Sequence, residues 1–261
     1  ASAVSYNDLT DKDQIVNKDA VSMLVSLGII EGKPDGSYGP TENVDRAQMA
    51  KMLSVIMNKG VDNSALYQSV NSGLVDVNTN WAKGHINYCY TTGIIAGRGN
   101  GKFDPSATVT ALEAAKMLLV AVGYDPAIEG FEGADWAINV SVRADEQGIF
   151  EGFTKDLSAP LNRDDAALLI YNALDVEMIQ SYTTNNYPIA YSDHRTILAD
   201  KYGVIKVQGV VVANEWASLA SDDGDAALKE GKTTIYNGEG IFSTTGNTTV
   251  SKEDASLKTQ T

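Results

Sequence analysis

The chain repeats itself. The stretch Gly28 to Leu53, GIIEGKPDGSYGPTENVDRAQMAKML, returns from Gly93 to Leu118 as GIIAGRGNGKFDPSATVTALEAAKML, at a constant offset of 65 residues and without a gap. A third, more divergent copy opens at Gly148 with GIFEG, and LNRDDAALLI (Leu161 to Ile170) matches VDRAQMAKML across a loop about three residues shorter. Repetition on this scale restricts the fold severely: each copy is one supersecondary unit that buries a face its neighbours supply.

The repeated text is legible as helix, structured loop, helix. Gly28 ends a helix where a left-handed residue is needed. Gly32, Pro34, Asp35 and Gly36 supply turn chemistry, and Tyr38 or Phe103 anchors the loop. Asp45, Thr110 or Asn162 then stands at an N-cap position before an apolar helix. In the first of these helices Ala47, Met49, Ala50, Met52, Leu53, Val55 and Ile56 leave little polar face, and Ala114 to Val122 and Ala166 to Leu174 read alike. Helices apolar nearly all round are buried on most sides. One from each copy would form a central three-helix bundle, with the more amphipathic preceding helices outside.

The pattern GI-x-x-G-x-x-x-G-x-[FY]-x-P, followed by Asp45-Arg46-Ala47-Gln48, resembles the S-layer homology (SLH) repeat of bacterial cell-surface proteins. Val75-Asp76-Val77, Trp81-Ala82 and Trp136-Ala137 resemble the opening elements of that repeat, with Tyr6-Asn7-Asp8-Leu9 and Val16 standing in for them in the first copy. The resemblance implies a mainly α fold of three repeats in a pseudo-threefold trimer. We place the repeats at residues 5–60, 70–124 and 131–178, and a linker with a β-rich module at 181–261, the start of a longer protein. Within that module a short helix is expected at Thr196 to Tyr202, and strands at Val204 to Val212 and Thr233 to Phe242. The opening Ala1-Ser2-Ala3 reads as the mature N-terminus of an exported protein.

Composition narrows the function by exclusion. A net charge of −14 argues against nucleic-acid or anionic-membrane partners drawn by bulk attraction. No segment reaches the roughly 20 apolar residues of a membrane span. The single cysteine, Cys89, lies in an apolar context and reads as a buried structural thiol. The carboxylates Asp8, Asp11 and Asp13 lack the spacing of a calcium loop and read as a solvated acidic helix start. His85 and His194 make a poor metal pair, and no nucleophile or phosphate-loop motif is present. The sequence predicts a non-enzyme, without cofactor or metal.

Function is therefore sought in binding, in the grooves between units. Trp81, Trp136, Tyr38 and Phe103 offer aromatic faces for sugar rings, and Asp35, Asn100 and Gln48 offer hydrogen bonds. Arg46 and Arg163, at helix starts, suit a carboxylate, where unpaired N–H groups would also draw an anion. The same arginines could instead neutralise Asp45, Asp164 or Asp165, and each tryptophan could instead pack the core. SLH triplets bind anionic, often pyruvylated, secondary cell-wall polysaccharide, and so hold secreted proteins on the wall and its S-layer surface. The resemblance thus implies a peptidoglycan-linked glycan as partner, contacted by Arg46, Gln48, Asp35, Tyr38, Trp81, Arg98, Glu113, Trp136 and Arg163. Its hallmark motif reads Thr110-Ala111-Leu112-Glu113 in the second copy, which has lost the arginine; Arg98 is the candidate replacement. Unequal occupancy follows, with the grooves of Arg46 and Arg163 favoured. The alternative is a self-assembling S-layer or fibre protein, driven by its C-terminal segment and merely tethered by the repeats.

Overall fold

The computed structural model describes residues 5–207, 209–214, 218–219, 228 and 232–243. The Ala1-Ser2-Ala3 reading and the polar last dozen residues lie outside them. The chain divides after Val204 into two compact bodies.

Among its described residues the first body holds seven α-helices: α1 (Lys18–Ser26), α2 (Arg46–Met57), α3 (Lys83–Thr91), α4 (Ala111–Val122), α5 (Trp136–Glu146), α6 (Arg163–Ala173) and α7 (Ile197–Tyr202). The expected start and stop signals operate. Asp45 accepts from the Gln48 N–H, Thr110 from Glu113 and Asn162 from Asp165, so α2, α4 and α6 begin on equivalent caps. Gly28, Gly93 and Gly148 follow α1, α3 and α5 with φ of 73°, 79° and 72°. The Ile29 and Ile149 N–H groups then reach back to Leu24 O and Ala144 O, both at 2.9 Å, closing the ends as Schellman turns.

Packing runs across the copies. α3 packs on α2, α5 on α4, and α1 on α6, so each unit's first helix lies on the second helix of another unit. The helices α2, α4 and α6 carry most of the buried apolar residues that lie in helices, and α4 contacts both α2 and α6. Just before these helices three segments, one from each copy, meet in a closed ring of backbone bonds. The Val44 N–H donates to Leu161 O (2.9 Å), Leu161 to Val109 O (2.7 Å), and Val109 to Val44 O (2.9 Å). All three residues are buried and occupy the same repeat position.

The loops are clamped by carboxylates. Asp11 accepts the N–H groups of Tyr38 and Gly39, both at 2.8 Å, and Asp76 accepts those of Phe103 and Asp104 at 2.9 and 2.8 Å. This corrects the reading of the first copy: Asp11, not Asp8, matches Asp76, and it is a loop clamp. In the third copy buried Phe131 holds the corresponding place. Cys89 is fully buried, with its Sγ 3.4 Å from Ala50 O.

The segment after α6 departs from expectation. Residues 179–190 form an antiparallel hairpin, β1 (Ile179–Tyr182) with β2 (Pro188–Ala190), in a stretch whose polar residues carry no strand pattern. The hairpin and α7 belong to the first body, so its boundary falls at 204, not at 181. In the second body β3 (Val210–Asn214), β4 (Thr233–Tyr236) and β5 (Ile241–Ser243) form an antiparallel sheet in that order. Its first strand begins at Val210, later than the apolar run from Val204 suggested.

Candidate functional site

Arg46 opens α2 but reaches into the next unit. Its Nε donates to Phe103 O at 2.8 Å and its Nη2 to Ala96 O at 2.7 Å, while the guanidinium lies 4.5 Å from the Phe103 ring centroid. It is 3% exposed. Burial, with Arg98 nearby, lowers its pKa to about 10, so it stays charged at neutral pH. Arg163 repeats the contact one seam away: Nε donates to Tyr38 O at 2.7 Å, and the guanidinium stands 4.7 Å from the Tyr38 ring. The Tyr38 hydroxyl donates back to Arg163 O at 2.7 Å. Neither arginine pairs with the acids beside it. Asp165 pairs with Lys155, and Asp164 accepts the N–H groups of Val16 and Asn17 at the start of α1.

The amides that open α2 and α6 are already taken by loop carbonyls and are not free for an anion. The Arg46 and Ala47 N–H groups donate to Ala107 O and Pro105 O, those of Arg163 and Asp164 to Glu42 O and Pro40 O, and the Leu112 N–H to Leu157 O. The loop of a neighbouring unit thus accepts amides from the first turn of each of α2, α4 and α6. The arginines supply the charge in these seams, and the amides hold the units together.

Between units lies a cavity of about 380 Å³. Its walls include Arg46 from the first copy, Arg98, Glu113 and Lys116 from the second, and Trp136 from the third. Four residues singled out in the sequence, Arg46, Arg98, Glu113 and Trp136, therefore meet in one place. Arg98 Nη2 pairs with Glu113 Oε1 at 3.0 Å, and Glu113 Oε2 also accepts the Thr110 N–H of its own capping box. Lys116 escaped the sequence reading because it sits in an apolar helix. Its Nζ stands 6.0 Å from the Trp136 ring centroid, and it makes no ion pair among the described residues. Burial lowers its pKa, Glu132 opposes that shift, and Arg46 adds a smaller push in the same direction as burial.

The other predicted residues fall elsewhere. The repeat offset carries this cavity's set onto Arg163, Lys33, Gln48, Lys51 and Trp81. There Lys33 pairs with Glu42, Lys51 with Glu31 at 3.0 Å, and Gln48 Oε1 accepts the Asp45 N–H; Trp81 is 59% exposed. Tyr38 and Phe103 are buried and present no face to solvent. Asp35 is exposed in its turn, accepting from the Ser37 amide and hydroxyl, which hold its pKa below the ordinary value. In the remaining seam the equivalents are Ala111, Phe153, Asp165, Leu168 and Val16.

The profile of the S-layer homology domain matches residues 5–50 and 75–115. A cell surface protein of Thermoanaerobacter kivui is 28% identical over 245 residues, covering 94% of this chain and 29% of that protein. The S-layer protein EA1 of Bacillus anthracis is 32% identical over 111 residues, 42% of this chain and 12% of that one. The exoglucanase XynX of Acetivibrio thermocellus is 29% identical over 188 residues, 66% and 16% respectively. The chain thus spans less than a third of each of these relatives, which include both surface proteins and an enzyme.

Proposed function

We propose that this chain, a secreted bacterial cell-surface protein with S-layer homology domains, anchors itself non-covalently by gripping an anionic, pyruvylated secondary cell-wall polysaccharide between its repeats. Its place at the cell wall or in an S-layer accords with its relatives. The finer reading is carried by the cavity that gathers Arg46, Arg98 and Lys116 beside Trp136 in a chain of net charge −14. Cations concentrated there against the overall field favour a carboxylate-bearing ligand, and an indole edge or face favours a sugar ring.

The pseudo-threefold arrangement of the units 5–60, 70–124 and 131–178 belongs to the same reading. It is supported by the ring of Val44, Val109 and Leu161 and by the cyclic pairing of first and second helices. Occupancy is unequal: the Arg46 groove is the main site, the Arg163 groove the second, and the Ala111 seam stays empty.

Lys116→Ala with Trp136→Ala tests this, because both side chains line the cavity and neither enters the ring. Sedimentation of the variant with purified wall polysaccharide should fall about tenfold or more in affinity, the equivalent of roughly 1.4 kcal/mol. Retention at the parent level would overturn the assignment. A second reading, assembly through the C-terminal body, draws on the exposed Val210 and Ile241 of its three-stranded sheet. Lattice or filament growth in the absence of polysaccharide would favour it.

A further inference from the structure

The segment 179–204, which follows the last repeat, touches the C-terminal end of every inner helix. At the end of α4, Gly123 has φ 118°, and a Cβ there would stand 2.4 Å from Ile179 O, so β1 crosses directly over that cap. Beside it the Tyr182 hydroxyl accepts the Asp125 N–H at 2.9 Å and donates to Glu129 Oε1 at 3.0 Å. At the end of α6 the Leu198 N–H donates to Leu174 O at 2.9 Å, and Ile197 and Leu198 are buried. At the end of α2 the Tyr202 hydroxyl donates to Ile56 O at 3.2 Å. The segment is also tied back to Met178, whose N–H donates to Arg195 O and whose carbonyl accepts the Tyr191 N–H. Donors at helix C-termini also meet the favourable end of the macrodipole.

We propose that residues 179–204 form a strap that binds the three inner helices together at their C-terminal ends and takes up tension arriving through Val204. The backbone ring at Val44, Val109 and Leu161 closes the opposite end of the same helices. A pull on the chain beyond Val204 meets α7 first and is passed to α2 through Tyr202 and to α6 through Leu198. Without the strap the same pull would peel α6 from α1 and α4. The mechanical role rests on the anchoring reading; the tie between the helices does not.

Two measurements on the full chain test it. Ile197→Ala with Leu198→Ala should lower hydrogen-exchange protection about tenfold together in the last turns of α2, α4 and α6, leaving the turns at Arg46 and Trp136 unchanged. Loss confined to 197–202 would overturn the proposal. Should the double variant fail to fold, Tyr202→Phe removes only the hydroxyl, with its bonds to the Ile56 and Gly60 backbone, and should give the same pattern at smaller amplitude at α2. In the second, the protein is bound to immobilised wall polysaccharide and pulled from its C-terminus. Parent chains should hold to a higher rupture force than the variant, and equal forces would count against the strap. Absence of any tether in both proteins would count against polysaccharide anchoring, with exchange still deciding the strap.

Discussion

The seam crossed by Arg46 and the seam at Ala111 use the same repeat positions to different ends. In the first, a buried guanidinium satisfies two carbonyls and lies on Phe103, beside a cavity lined by Lys116 and Trp136. In the second, alanine, Leu168 and Val16 stand at those three positions, and the local ion pair is Lys155 with Asp165. Both seams nevertheless share the ring bonds and the amide-to-loop bonds of the helix starts. Closure of the units therefore does not need the arginine. The charged cavity is an addition laid over a joint that backbone groups already make.

Three experiments would break or sharpen that contrast. Among the polar side chains the largest effect is expected of Arg46→Ala, which strands two buried carbonyls and removes a ring contact; denaturant unfolding should show a loss of about 2–4 kcal/mol. Arg163→Ala, with one carbonyl at stake, should cost about 1–2 kcal/mol. Equal and negligible costs for the pair would mean that the arginines serve only a ligand. Next come the loop clamps. Asp11→Ala and Asp76→Ala each release two N–H groups and should cost about 1–2 kcal/mol, with exchange rising at residues 38–39 or 103–104. A Phe131→Ala change should instead behave as a core truncation, costing about 3–5 kcal/mol if its pocket cannot collapse, with no such local signature.

The smallest effect is the pH dependence of the seam between α2 and α3. There buried His85 meets Ser54 Oγ at 2.5 Å through Nδ1 and Asp62 at 3.5 Å through Nε2. Burial lowers its pKa below the usual 6.5, against the pull of Asp62 and Glu31 and with the push of Lys51. A lowered folded-state pKa means that neutral His85 contributes stability above 6.5, lost as pH falls through the folded value. Stability measured from pH 7 to 5 should fall in the parent and fall less in His85→Gln. A second loss, in more acid solution, belongs to Asp76. Burial raises its pKa, but the Phe103 and Asp104 amides outweigh this and hold it below 3.8, so its contribution disappears as pH falls through that lowered value. Identical profiles for the parent and His85→Gln would remove His85 from the account.

Much of this architecture was legible in the residues. Helix starts at Asp45, Thr110 and Asn162, stops at Gly28, Gly93 and Gly148, and inner helices apolar nearly all round are local signals, and they read correctly. The partners of those elements were not legible, because packing across copies depends on which neighbour supplies the face. Nothing in the spacing says that α1 lies on α6, or that Arg46 points away from its own unit to Phe103. Asp11 was legible and was misread: the offset of 65 carries it onto Asp76, whereas proximity to Asp8 and Asp13 disguised it as part of an acidic run. Lys116 was hidden by its apolar helix, and the hairpin at 179–190 by strands whose side chains are mostly polar or exposed.

The ring of Val44, Val109 and Leu161 carries a consequence for how such a chain can change. Amide groups write the junction, and an amide is the same whatever side chain accompanies it. One copy can therefore drift and shorten its loop, as the third has, while the other two stay in place. Specialisation of a single groove is then open to mutation without renegotiating the whole assembly.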